Sequence, residues 1–186
     1  MPGLIGFTDR HGRYGSRVLI QMRRMLNHFD SYVADEVFSD DKIRASRTHL
    51  GIINQGAQPY TLDQQTFLWM EGEIYNQEEL KSQYGVSSQT DIELIARIYA
   101  STNSFAFLKD VDGYFASVLY DAKSKRIHLI SDRYGFKALY YTIVNGNLLW
   151  SSELKGFLGH DYFRPIIDPE AVRQFFSFGY LLEVFH

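Results

Sequence analysis

Three short segments contain the residues best suited to chemistry, and their first residues lie about twenty positions apart. They are His49-Leu-Gly-Ile-Ile53, Glu71-Gly-Glu-Ile-Tyr-Asn76 and Gln89-Thr-Asp-Ile-Glu93. Glu71-Gly72 ends a predicted strand, where backbone N–H groups can be exposed, and Asp91 lies in the first turn of a predicted helix. Together they predict a pocket for a small zwitterion, with the Asp91 carboxylate facing the ammonium group of the ligand. An ordinary turn or helix cap is the alternative interpretation at each position.

Other kinds of site lack their sequence patterns. The chain has no cysteine, which excludes disulfides, zinc–thiolate sites, iron–sulfur clusters and a cysteine nucleophile. Neither glycine-rich phosphate-binding pattern occurs, and the Gly-x-Ser-x-Gly elbow is absent. The six histidines are scattered along the chain. Asp110-Val-Asp-Gly113 resembles the start of a calcium loop, but its glycine comes too early. No metal site is therefore predicted.

The composition is that of a globular domain. Of the 186 residues, 45% are apolar and 22% are charged, close to the average for soluble proteins. The net charge of −3 gives no general electrostatic case for nucleic acid or an anionic membrane. The sequence shows neither a signal-peptide pattern nor a run of about 20 apolar residues that could span a bilayer. We therefore expect a cytoplasmic protein without nucleic-acid or membrane partners.

Strand-like runs dominate the chain. They are Gly3–Phe7, Thr48–Ile53, Thr66–Met70, Tyr114–Tyr120, Arg126–Ser131, Ala138–Val144 and Leu148–Ser152. The two glycines of the first run predict a strand that another backbone approaches closely. The last four runs predict one antiparallel meander over residues 113–152, with Asn145-Gly146 as a hairpin turn.

Helical patterns lie between these runs. Apolar residues recur at helical spacing between Tyr14 and Phe29, with an arginine-rich face that we interpret as solvated. A short helix after Asn76 is expected to end at Gly85, and the next begins with the capping-box pattern Thr90-Asp-Ile-Glu93. Asp168-Pro169-Glu170 opens a last helix in an apolar tail that ends at His186. Strands and helices follow in blocks, which favours antiparallel layers covered by helices.

The order of these motifs resembles the N-terminal glutamine amidotransferase domain of the asparagine synthetase family. The matching segments are Met1-Pro-Gly-Leu4, His49-Leu50, Gly56-Ala-Gln-Pro59, Glu71–Asn76, Thr90–Glu93, Val111–Ala116, Ser131–Tyr141 and Ser152-Glu-Leu-Lys155. They keep the order of the family over nearly the whole chain. The resemblance implies an α+β fold, the four-layer αββα sandwich of N-terminal-nucleophile hydrolases.

The resemblance also implies a division of the chain and a set of partners. Residues 1–160 correspond to the amidotransferase domain, and residues 161–186 to the start of an ATP-dependent synthetase domain or a C-terminal docking helix. The expected partner is a synthetase domain, in the same chain or separate, and glutamine or another amino acid and a homodimer are further candidates. No cofactor is expected in this chain, since ATP and magnesium belong to the synthetase domain.

Three positions depart from the pattern of the family. In active members, removal of the first methionine exposes a cysteine nucleophile, an arginine clamps the carboxylate of glutamine, and an asparagine with a glycine forms the oxyanion hole. Here Pro2 stands at the nucleophile position, His49 at the arginine position, and Glu71 replaces the asparagine beside Gly72. The substrate-binding positions implied by the resemblance are His49, Leu50, Gly51, Ile52, Ile53, Glu71, Gly72, Glu73 and Asp91.

These departures favour one hypothesis and leave two alternatives. The main expectation is a domain without glutaminase activity, retained as a structural or docking part of an ATP-dependent amide-forming enzyme. The first alternative is a free-standing module that binds an amino acid through Asp91 and Gly72. The second is an enzyme of the same fold that uses the amine of Pro2 on another substrate.

Overall fold

The computed structural model describes residues 2–182, which form two antiparallel sheets covered by helices. The strands are β1 (Gly3–Thr8), β2 (Val33–Ala34), β3 (Phe38–Ser39), β4 (Ile43–His49), β5 (Tyr60–Thr61), β6 (Thr66–Ile74), β7 (Gly113–Asp121), β8 (Arg126–Ser131), β9 (Tyr140–Val144) and β10 (Asn147–Ser151). The helices are α1 (Ser16–Arg24), α2 (Gln77–Tyr84), α3 (Asp91–Thr102) and α4 (Pro169–Phe178), with 3-10 turns at Ala106–Asp110 and Leu154–Gly159. Met1 and residues 183–186, which end the predicted second segment, lie outside the described residues.

The strand order shows how the two sheets are built. The first sheet runs β2-β4-β1-β10-β9, with β3 also paired to β4. The second sheet runs β5-β6-β7-β8, and β6 pairs with β7 along its whole length. Among residues 2–182, no helix is both long and apolar enough to cross a membrane.

Apolar side chains that alternate between the two faces of the strands form three layers. In β1, Leu4 joins the cluster between the sheets, whereas Ile5 and Phe7 join the cluster under α1. In β6, Trp69 points between the sheets and Met70 points toward α3. Because successive side chains of a strand point to opposite faces, each sheet packs on its partner and on its own helix. The order helix–sheet–sheet–helix confirms the predicted α+β sandwich.

Several local predictions are confirmed. The first strand has the predicted start, α2 ends at Gly85 with a left-handed φ of 64°, and the Thr90 side chain accepts a hydrogen bond from the Glu93 N–H. Asp168 caps α4 by accepting from the N–H groups of the first turn.

The basic face of α1 is only partly solvated, because Arg23 donates to the Asp35 carbonyl at 2.8 Å.

Two strand predictions are wrong. The predicted strand Thr48–Ile53 ends at His49, because the chain turns through positive φ angles at Gly51 (72°) and Asn54 (49°). The predicted end at Glu71-Gly72 is also wrong, since β6 continues to Ile74 and Gly72 pairs with Phe115.

Residues 113–152 form two hairpins in different sheets instead of one meander. The β7–β8 hairpin belongs to the second sheet and the β9–β10 hairpin to the first. The connection between them turns around Asp132, whose carboxylate accepts the N–H groups of Tyr134, Phe136 and Lys137 at 2.9–3.1 Å. This buried carboxylate redirects the chain, and β9 therefore begins at Tyr140.

The close approach expected at the glycines of β1 gives a stability prediction. Gly6 lies between Ala45 and Trp150, and a Cβ atom there would overlap the Trp150 ring and lie 2.6 Å from the Arg44 carbonyl oxygen. Gly6→Ala is therefore expected to lower the free energy of unfolding by about 1–3 kcal/mol, measured by urea denaturation. Gly15→Ala is the matched control, since nothing lies within 4 Å of its Cβ position. Equal stability of the two variants would contradict this packing.

Candidate functional site

One end of the sandwich holds a cavity of about 340 Å³ that collects most of the predicted site residues. Its lining residues are Pro2, His49, Leu50, Ile52, Ile53, Glu71, Gly72, Glu73, Tyr114 and Lys137. Pro2 precedes β1, His49 ends β4, Glu71 to Glu73 lie in β6, and Tyr114 lies in β7. The antiparallel pairing brings these parts of the chain to the same end of the two sheets. Of the predicted residues, Gly51 and Asp91 do not line the cavity.

His49 has both ring nitrogens engaged by the protein. Its Nδ1 accepts the N–H of Gly51 at 3.1 Å, which places the ring proton on Nε2. Nε2 lies 3.6 Å from the Asp35 carboxylate. Burial lowers the pKa of His49, and the nearby charge of Arg47 lowers it further against the opposing effect of Asp35. The lowered pKa favours the neutral imidazole, and the hydrogen bond from Gly51 favours the tautomer whose proton is on Nε2, on the side of Asp35.

Arg47 and Asp35 form a buried ion pair behind His49 that the sequence analysis did not single out. The Arg47 Nε donates to Asp35 Oδ2 at 2.7 Å, and the Arg47 side chain is completely buried. Its other nitrogens donate to the carbonyl oxygens of Asn54 at 2.8 Å and Gly56 at 2.9 Å. The guanidinium thus holds the loop after β4, and all three of its nitrogens are engaged away from the cavity. The only sequence signal for this pair is the position of Arg47 directly before the predicted strand Thr48–Ile53.

Glu71 pairs with Lys137 at the inner wall of the cavity. Their side chains are mostly buried, and the Glu71 Oε1 lies 3.5 Å from the Lys137 Nζ. Burial raises the pKa of the Glu71 carboxyl, against the opposing effects of Lys137 and Arg47. The Lys137 ammonium also lies 5.5 Å from the centre of the Tyr114 ring, a cation–π contact. The sequence analysis contained Lys137 only as part of the Ser131–Tyr141 motif, and Tyr114 only within a predicted strand and the Val111–Ala116 motif.

Gly72 has a backbone conformation that only glycine adopts readily. Its φ is 119°, and a Cβ atom would overlap the Tyr114 carbonyl oxygen and lie 2.7 Å from the Phe115 Cα. The Gly72 carbonyl accepts a hydrogen bond from the Asn54 Nδ2 at 2.8 Å. This glycine keeps β6 and β7 close together beneath the cavity.

Asp91 lies behind the cavity wall at the start of α3. It is 5% exposed, and its Oδ2 lies 3.4 Å from the same Asn54 Nδ2 that bonds to Gly72. Burial raises the pKa of the Asp91 carboxyl, and hydrogen bonds from Asn54 and the Ile74 backbone act against that shift. Asn54 therefore links two predicted residues, and its side chain is a site component that the sequence analysis missed.

The sequence matches the family described as the glutamine amidotransferase domain over residues 1–184. The chain is a glutamine amidotransferase domain of the asparagine synthetase type. Its relatives include asparagine synthetase [glutamine-hydrolyzing] 1 of Bacillus subtilis, 28% identical over 98% of this chain and 30% of that protein. Asparagine synthetase B of Escherichia coli is 32% identical over 75% of this chain and 26% of that protein.

A solved structure supports the fold of this amidotransferase domain. Glutamine phosphoribosylpyrophosphate amidotransferase from B. subtilis superposes with a TM-score of 0.62 at 18% identity, over 87% of this chain and 44% of that chain. At this identity the similarity concerns the fold alone. The chain spans less than a third of the length of the asparagine synthetases it matches. Residues 2–182 contain no group of three or more His, Asp or Glu side chains placed to hold a metal ion.

The buried ion pair gives a second stability prediction. Asp35→Asn would leave the Arg47 guanidinium buried without its counter-charge, so the free energy of unfolding should fall by about 3–5 kcal/mol. Chemical denaturation followed by circular dichroism measures the change. Glu170→Gln removes a carboxylate from the exposed Glu170–Arg173 pair and should cost less than about 1 kcal/mol. A similar decrease in the free energy of unfolding in both variants would contradict the expected cost of leaving Arg47 buried without its counter-charge.

Proposed function

We propose that this amidotransferase domain does not hydrolyse glutamine and serves as a docking domain for an ATP-dependent amide-forming synthetase. The observation that carries the proposal is Pro2 in the cavity, at the position where the resembling domains carry their nucleophile. A proline side chain is a saturated ring without a thiol or hydroxyl group, and the chain has no cysteine elsewhere. Loss of a nucleophile lowers an enzymatic rate by about 10⁶-fold.

Glu71 supports the proposal through its charge. Hydrolysis of an amide passes through a tetrahedral intermediate whose oxygen becomes negative and requires hydrogen-bond donors. An ionised carboxylate only accepts hydrogen bonds, so Glu71 would repel this oxygen where an asparagine would donate. Loss of one such donor costs about 10²–10³-fold in rate. The Glu71 Oε1 lies 3.5 Å from the Lys137 Nζ, and this contact supports an ionised carboxylate at this position.

His49 supports the proposal through its hydrogen bonds. An arginine holds a carboxylate through two parallel N–H donors and a permanent charge. The neutral imidazole of His49 carries one proton, and that proton faces Asp35. The carboxylate of glutamine would therefore lack its clamp in this cavity.

A glutamine hydrolysis assay tests the proposed inactivity. The purified chain is incubated with glutamine and released glutamate is measured, with no release above the uncatalysed background expected. A turnover near 1 per second, within the ordinary enzyme range, would refute the proposal. The triple variant Pro2→Cys, His49→Arg, Glu71→Asn is expected to release more glutamate than the unaltered chain. Pro2→Ala, compared with the unaltered sequence after removal of Met1 from both, is the control for chemistry at the proline amine, and the two activities should be equal.

The docking part of the proposal is supported by the C-terminal apolar surface, which we define as the exposed apolar residues from Ile166 to Leu182. No residue of α4 is buried, and Phe176 is 83% exposed. Exposed apolar groups of this extent mark interaction surfaces. The matched asparagine synthetases are several times longer than this chain, which favours a synthetase as the partner.

A double variant tests whether this surface is available for docking. Ile166→Ser with Phe176→Ser should leave the free energy of unfolding within about 0.5 kcal/mol, because neither side chain packs on the sandwich. The same variant should reduce the fluorescence of an apolar dye bound to the protein. Tyr134→Ser, an exposed aromatic change outside this surface, is the control for the dye. A loss of stability above about 2 kcal/mol would show that the segment packs on its own domain.

A further inference from the structure

The charges around the cavity favour a cation over an anion. Among the lining residues of the described chain, Lys137 alone has a permanent positive charge, and Glu71 already neutralises it at 3.5 Å. Glu73 also lines the cavity and forms no ion pair with any residue in the range 2–182. Asp91 does not line the cavity, but it is a third, buried carboxyl group that the Asn54 side chain links to Gly72. With Met1 in place, the Pro2 nitrogen is a tertiary amide and adds neither a proton nor a charge.

A carboxylate would find no suitable partner in this cavity. The Arg47 guanidinium is fully buried and is held by Asp35 and two backbone carbonyl oxygens. The single ring proton of His49 faces Asp35, and its Nδ1 accepts from Gly51. An anion placed among the carboxylates would be repelled, and one placed against Lys137 would have to displace Glu71. Burying an unpaired charge is costly, so this cavity disfavours any ligand with a carboxylate.

The rest of the lining is apolar and open at the mouth. The side chains of Leu50, Ile52 and Ile53 are all exposed at the rim. At Gly51, which lies between Leu50 and Ile52, a Cβ atom would contact the Val33 side chain at 3.6 Å. The Tyr114 ring lines the cavity beside them. A volume of about 340 Å³ is at the small end of the range for small-molecule sites. The apolar rim would cover a short hydrocarbon body once its polar end had entered.

We infer that the cavity binds a primary ammonium group attached to a short apolar body, with Glu73 as its counter-charge, and discriminates against ligands that carry a carboxylate. The ammonium group would enter between Glu73 and Glu71, and the apolar body would lie against the rim at Leu50 and Ile53. This inference rests on the proposed function, because a site that binds such an amine without altering it needs no nucleophile.

Three probes with the same branched hydrocarbon body test the inference. They are 3-methylbutylamine, which carries only the ammonium group, leucine, which carries both groups, and 4-methylpentanoate, which carries only the carboxylate. Binding is measured by calorimetry on the full chain with Met1 present, as verified by intact mass. We expect the amine to bind at least about ten-fold more tightly than leucine and the carboxylate not to bind. Equal or tighter binding of leucine, or no binding of the amine at about 10 mM, would overturn the inference.

A pair of matched variants tests the assigned counter-charge. Glu73→Gln should weaken binding of the amine by about ten-fold or more, because an amide replaces the charged partner. Glu78→Gln changes an exposed carboxylate on α2, outside the cavity, and should leave binding unchanged. Thermal unfolding of both variants verifies that they are folded. Unchanged amine affinity in folded Glu73→Gln, or equal losses in both variants, would overturn the inference.

The glutamate assay, run both on the chain that retains Met1 and on the chain from which Met1 has been removed, distinguishes the two proposals. No amine preference together with no glutamate release would overturn the inference and leave the proposed function standing. Glutamate release with a clear amine preference would overturn the proposed function while the binding selectivity stood. Glutamate release without the preference would overturn both.

Discussion

The buried contact between Arg47 and Asp35 is the interaction on which the site depends. It joins the strand β4 to the segment that follows β2, and through the Asn54 and Gly56 carbonyl oxygens it holds the loop that forms one wall of the cavity. A buried guanidinium must have its donors satisfied, because unpaired charge in the interior is costly. The loop can therefore move only if Arg47 loses its partners. The same constraint orients His49, since Asp35 also faces its Nε2.

A second constraint comes from the backbone beneath the cavity. The φ of 119° at Gly72 and the packing of its Cα against Tyr114 hold β6 and β7 in register. Asn54, itself in a left-handed conformation, bridges the Gly72 carbonyl and the Asp91 carboxylate. None of these contacts involves Pro2 or Glu71. The backbone beneath the cavity is thus held by Asn54 and by Gly72, one of the two oxyanion-hole positions, without any contribution from Pro2 or Glu71.

The sequence predicted features that depend on neighbouring residues and missed those that depend on distant ones. The cap at Thr90 and the left-handed end of α2 at Gly85 follow from local hydrogen bonding and from the freedom of glycine. The end of β4 at His49 was missed, because Gly51, inside the predicted strand Thr48–Ile53, was not recognised as a turn residue with positive φ. The turn that separates the two hairpins of residues 113–152 is organised by a buried carboxylate, Asp132, whose role has no signal in periodicity.

The candidate site shows the same division between local and distant information. Most of the residues predicted from motif order line one cavity, because strand pairing brings the segments that carry them to one end of the sandwich. Motif order gives no information on Arg47 with Asp35 or on Lys137 with Glu71, whose members are 12 and 66 residues apart in the chain. These pairs determine which charges face the cavity. A fold can therefore keep the backbone around a cavity while other side chains change its charge, because Gly72 and Asn54 hold the backbone here and the Glu71–Lys137 pair sets the charge at the inner wall.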